Sequence, residues 1–68
     1  MRISARNSLK GCIVSIEKGA TTAHVRIDVG GAIVTSAITN AAVEEMGLEE
    51  GREAYAVVKA SDVMIGVD

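Results

Sequence analysis

Two short stretches near opposite ends of the chain carry the residue types that could do chemistry. Ser4-Ala5-Arg6-Asn7 couples a guanidinium to a hydroxyl and an amide, and Lys59-Ala60-Ser61 couples an ammonium to a second hydroxyl. Arg6 offers a planar fork of donors and Lys59 a compact point charge. Ser4 and Ser61 can each donate one short hydrogen bond. Such a set suits a small tetrahedral oxyanion, whose oxygens only accept. Thr39 is a third candidate, because it precedes a helical stretch whose first N–H groups lack intrahelical partners and attract anions. Each place also has an ordinary explanation. The first stretch could be the polar start of an edge strand, Lys59 a solvated strand-end lysine, and Thr39 a plain helix cap. Spacing alone does not bring the three together.

Other chemistry finds little support. No phosphate-loop or Gly-rich nucleotide fingerprint is present, and no nucleophile–base pair stands out, so the chain does not read as an enzyme. Cys12 is the only cysteine and His24 the only histidine, so neither a disulfide nor a tetrahedral zinc site can be assembled in one chain. His24 reads as a solvent-facing or interface residue; repeated around a symmetry axis it would form a proton-sensitive cluster. The acidic group Glu44, Glu45, Glu49 and Glu50 reads as a solvated face.

The composition restricts partners and setting. The formal charge is −2 and Tyr55 is the sole aromatic, which argues against a nucleic-acid groove of basic and aromatic side chains. No apolar run approaches the ~20 residues of a membrane span. The basic start lacks the apolar segment of a secretory signal, and one unpaired cysteine suits a reducing compartment. These features predict a cytoplasmic protein. Hydrophobic residues make up 49% of 68 residues, nearly all aliphatic. A chain this short has a marginal core, and the usual remedy left to it is self-association.

The elements that must position these residues follow from periodicity and punctuation. Residues 3–16 read as a long first strand with a bulge or bend at Gly11, ending in the turn Glu17-Lys18-Gly19-Ala20. From Thr21 to Val29, Ala23, Val25, Ile27 and Val29 alternate with Thr22, His24, Arg26 and Asp28, a half-buried strand. Gly30-Gly31 is a two-residue hairpin signal, and residues 32–38 form the returning strand. Thr39 or Asn40 caps a short helix over 41–46, and Gly47 stops it. Residues 52–60 form a fourth strand, Ser61-Asp62 a tight turn, and 63–67 a fifth strand. The order β-β-β-α-β-β predicts an all-β domain with one short helix, a five-stranded OB-fold-like barrel over residues 1–68. A small open sheet of similar order is the main alternative.

Ser4-Ala5-Arg6-Asn7, Leu9-Lys10-Gly11, Ile38-Thr39, Gly47-Leu48, Gly51 and Lys59-Ala60-Ser61-Asp62-Val63 together resemble the molbindin (Mop) family over essentially the whole chain. The resemblance implies an OB-like barrel assembled as a homohexamer, a trimer of dimers, that holds molybdate or tungstate between subunits for storage or homeostasis. It places oxyanion contacts at Ser4, Arg6, Thr39, Lys59, Ala60 and Ser61, with Ala60 acting through its backbone. Asn7 falls on the same motif as a contact or as a brace for the loop. The metal itself needs no protein ligand. Two other readings remain open: an OB-type nucleic-acid-binding module, and a purely structural assembly module whose basic segments pair with acidic neighbours.

Overall fold

A computed structural model describes residues 1–68. Four strands form one antiparallel sheet, β1 (Asn7–Lys18), β2 (Thr22–Asp28), β3 (Ile33–Thr39) and β4 (Glu53–Val58), in the order β3-β2-β1-β4. The helix α1 (Asn40–Glu45) follows β3. The sheet curls into a half-barrel, because β1 pairs with β4 through its first half and with β2 through its second.

The curl has two local causes on β1. Cys12 and Ile13 oppose Asp28 and Ile27, but Ser15 opposes Arg26, so Val14 is an extra residue in the ladder. Such a bulge bends the strand and increases its twist. The bulge sits at Val14 and not at Gly11, where the sequence suggested it. Gly11 answers a different demand, close backbone approach. A Cβ there would run into the carbonyl oxygen of Asp28 and come within 2.8 Å of Ile27 Cγ2.

The connections match the residues that form them. Gly30 and Gly31 take φ of 92° and 102°, the left-handed region a type I′ hairpin requires. Asp28 closes the turn by accepting from the Gly30 N–H at 2.9 Å. Thr39 caps α1, its Oγ1 accepting from the Ala42 N–H at 3.0 Å. Gly47 adopts φ 61° and ends the helix, while Leu48 N–H returns to the Val43 carbonyl at 3.0 Å. Arg52 finishes that end: its Nη1 donates to the carbonyls of Met46 and Gly47 at 2.8 and 2.7 Å.

The core is small and wholly aliphatic. Ile13, Ala23, Val25, Ile27, Val43 and Ala56 are its only buried residues. The alternation in β2 is reproduced there, since Ala23, Val25 and Ile27 are buried and His24 and Asp28 are exposed. On the helix only Val43 is buried; Met46, at its C-terminal cap, is exposed.

One predicted element is absent. Residues 60–62 form a single 3₁₀ turn, and residues 63–68 make no strand. The fold is therefore a four-stranded half-barrel, not a closed five-stranded barrel. The Val63-Met64-Ile65-Gly66-Val67 run has strand-forming composition, but a strand also needs an edge to pair with. The turn carries the run away from the edge of its own sheet, leaving Met64, Ile65 and Val67 91%, 88% and 93% exposed.

Candidate functional site

The first and last candidate segments are brought together by the β1–β4 register. The final pair of that ladder is Asn7 with Val58. Arg6 and Lys59 are each the next residue beyond that pair. The two chains leave the sheet side by side there, Ser4 and Ala5 on one and Ala60 and Ser61 on the other. Opposed Cα atoms in such a ladder are about 4.5–5.5 Å apart, so the backbones that carry the two permanent cations are held close at Asn7 and Val58. Asn7 fastens this junction: its Nδ2 donates to the Val58 carbonyl at 3.2 Å. The amide thus braces the two segments at the point where they emerge.

On the second segment, Lys59 is extended (φ −65°, ψ 136°) and precedes the 3₁₀ turn. Asp62 N–H donates to the Lys59 carbonyl at 2.9 Å and Val63 N–H to the Ala60 carbonyl at 3.3 Å. The N–H groups of Ala60 and Ser61 donate to no backbone carbonyl across that turn. They can face an anion, as the first donors of a turn do. Ser4, Arg6, Lys59, Ala60 and Ser61 are all exposed in the single chain.

The charge pattern singles out the same place. Of seven Lys and Arg residues, Lys10 pairs with Glu53 at 3.4 Å, Lys18 with Glu44 at 3.3 Å and Arg26 with Glu17 at 3.6 Å. Arg52 is engaged by carbonyl oxygens. Arg2, Arg6 and Lys59 pair with no carboxylate. Two of these three flank the β1–β4 junction, and the third lies four residues upstream of Arg6. Uncompensated positive charge beside free donors is what an oxyanion needs.

Thr39 is not part of this constellation within one chain. It pairs with Thr22 at the far end of β2, beside the turn that joins β2 to the end of β1. Arg6 and Lys59 lie at the opposite end of the twelve-residue β1. The neighbouring Asn40 donates from Nδ2 to the Gly19 carbonyl at 2.9 Å, tying the helix start to that turn. Its Oδ1 is buried without a donor, the one such side-chain atom in the chain. Sequence reasoning missed this orphan acceptor and the capping role of Arg52, since both depend on which loop lies alongside. No group of His, Cys, Asp and Glu side chains is placed to hold a metal ion directly. His24 is exposed on β2 between Glu17 and Ala37. No helix is long and apolar enough to cross a membrane.

A curled antiparallel half-barrel with one short helix, with unpaired cations at the junction of its terminal segments, is a small OB-like architecture. The TOBE domain model matches residues 3–65. The chain is 55% identical to the "Probable molybdenum-pterin-binding protein" of Haemophilus influenzae, with 100% of each chain covered. Its fold superposes on MopII from Clostridium pasteurianum with a TM-score of 0.90 at 51% identity, covering 97% of this chain and 100% of that one. It matches the cytoplasmic molybdate-binding protein ModG, in a form with molybdate bound, with a TM-score of 0.93 at 46% identity; all of this chain and 49% of ModG are covered. The chain belongs to the TOBE domain family, among its Mop (molbindin) members.

Proposed function

We propose that this protein is a non-catalytic binder of molybdate or tungstate. The observation that carries the reading is that Arg6 and Lys59 each follow directly on the terminal Asn7–Val58 pair of the β1–β4 ladder, with neither cation paired to a carboxylate. At neutral pH either ligand is a dianion with four accepting oxygens. Arg6 and Lys59 balance its charge through charge-assisted bonds, roughly twice as strong as neutral ones. Ser4, Ser61 and the backbone N–H groups of Ala60 and Ser61 add direction. A lining without carboxylates offers no strong acceptor to a protonated oxygen, which disfavours phosphate, and cavity size disfavours sulfate. The names of the H. influenzae relative and of ModG support the same ligand class.

The site is completed between copies. Thr39 lies at the other end of β1 from Arg6 and Lys59, so its hydroxyl reaches the anion from a neighbouring subunit. Asn7 serves as the brace. Self-association is supported by the apolar surface, which includes Met1, Ile33, Met46, Tyr55, Met64 and Ile65, all at least half exposed in the single chain. Burying Met64, Ile65 and Val67 alone would be worth roughly 5–9 kcal/mol before ordering costs. The family resemblance points to a homohexamer, a trimer of dimers. In this reading residues 1–68 act as one Mop domain that stores or buffers the oxyanion in the cytoplasm, with no nucleic acid and no membrane as partner.

Native mass spectrometry with and without molybdate tests both halves at once. The expected result is an oligomer that gains whole numbers of molybdate. A monomer that takes up none overturns the reading.

A further inference from the structure

Three cations lack a carboxylate partner, and the proposed oxyanion site uses Arg6 and Lys59 but not Arg2. The place of Arg2 is set by the arm that carries it. Residues 1–6 form no strand, and the chain bends at Ser4 and again at Arg6. The arm turns back onto the sheet: Met1 lines an open groove of about 490 Å³ together with Tyr55 and Val57 of β4. Val57 stands two residues before Lys59. Arg2, next to Met1, is thus held on the β4 side of the corner, with its side chain exposed. The four residues from Arg2 to Arg6 span at most about 14 Å when fully extended, and the bends shorten that reach. A carboxylate also stands near this corner. Asp62 ends the turn that follows Lys59, is exposed, and pairs with no cation. Arg6 and Lys59 bring two positive charges to the corner, and Asp62 takes one back. Arg2 restores the local charge to two, equal and opposite to that of the dianion. The chain as a whole is negative, with a formal charge of −2, so its other surfaces do not attract an anion.

We infer that Arg2 is a steering residue for the oxyanion: it acts through its field from outside the contact shell, offsets Asp62, and speeds capture of the dianion in a way that salt abolishes. The inference rests on the oxyanion-binding reading of the protein. Magnitude separates a field from a contact. A unit charge about 10 Å from a dianion in water changes its local concentration about threefold at ~0.01 M salt, where the Debye length is about 30 Å, and hardly at all at ~1 M, where it is about 3 Å. A contact through the guanidinium fork is screened far less and needs Arg in particular, because Lys is a point charge. The two also differ in rate. A charge at the rim acts on association and its salt dependence, whereas a direct hydrogen-bonded partner acts on dissociation.

The test compares the wild-type chain with Arg2→Gln, Arg2→Lys, Arg2→Glu, and Arg2→Gln combined with Asp62→Asn. Calorimetry at low and high salt gives molybdate affinity, and rapid filtration with radiolabelled molybdate gives the association and dissociation rates. Both side chains are exposed, so all variants keep the fold, checked by circular dichroism. At low salt Arg2→Gln is expected to bind about threefold more weakly, through slower association, and Arg2→Glu about tenfold. Arg2→Lys should match wild type, since only the charge matters. Adding Asp62→Asn to Arg2→Gln should restore association to near the wild-type rate. At high salt every variant should bind like wild type. The inference fails if Arg2→Gln equals wild type at low salt, or if the double variant stays as slow as Arg2→Gln. It also fails if Arg2→Lys is as weak as Arg2→Gln, if the loss persists at high salt, or if it lies in dissociation, because each of these makes Arg2 a direct contact. Failure of the oxyanion reading looks different: wild type itself then takes up no molybdate at either salt.

Discussion

Asn7 pairs with Val58 as the last residues of the β1–β4 ladder, so Arg6 and Lys59, separated by 53 positions (59 − 6) in the chain, are each the next residue beyond it. Neither has a carboxylate partner. Two like charges carried out of one ladder end repel, and an oxyanion between them would turn that repulsion into attraction. Arg6→Ala and Lys59→Ala are each expected to weaken molybdate binding by more than about tenfold, roughly 1.4 kcal/mol. In the double variant the losses should not simply add, because the two groups share one ligand. Isothermal titration calorimetry measures all three; affinities within twofold of wild type would reject the assignment.

Asn7 acts on the same junction from below. Asn7→Ala removes the bond to the Val58 carbonyl and should cost about 1 kcal/mol of stability, with a smaller loss of molybdate affinity than either cation variant. Urea unfolding read alongside calorimetry separates the two effects. An affinity loss as large as that of Arg6→Ala would make Asn7 a direct contact.

Gly11 should tolerate no side chain. Gly11→Ala drives a methyl into the Asp28 carbonyl, a backbone atom that cannot swing aside. Overpacking of this kind costs about 1–3 kcal/mol or more. Thermal unfolding should show a clear drop in Tm, whereas Gly66→Ala, with open space around it, should leave Tm close to wild type.

Thr39 carries two roles that one substitution can divide. Its oxygen caps α1, and its hydroxyl is the proposed contact to an anion held by another copy. Thr39→Asp keeps a capping acceptor but sets a carboxylate against the oxyanion. The expected outcome is near-normal stability with molybdate binding lost. Thr39→Ala should instead lose about 1 kcal/mol of stability as well as affinity. Unchanged binding in Thr39→Asp would remove this residue from the site.

Much of the fold was legible from local pattern, because local physics controls those features. The period-2 alternation of Ala23, Val25 and Ile27 places a buried face on β2. Gly30-Gly31 demands a left-handed turn, and Gly47 a left-handed stop. The Thr39 cap is likewise a short-range matter of one side chain and the N–H three residues on. Gly11 reads from sequence as a bulge or bend, yet the bulge lies at Val14, because a glycine marks either a bulge or a close approach and only the neighbouring strand decides which.

By itself the chain determined its donor chemistry, its aliphatic character, its turn positions and its family, since these depend on side-chain identity and short spacings. Only the tertiary structure decided that Arg6 and Lys59 share one corner while Thr39 lies at the other end of β1, and that residues 63–67 find no strand edge in their own chain. Those facts depend on strand order and register. Both arise from how a curled sheet packs its few apolar side chains, which no stretch of residues specifies alone.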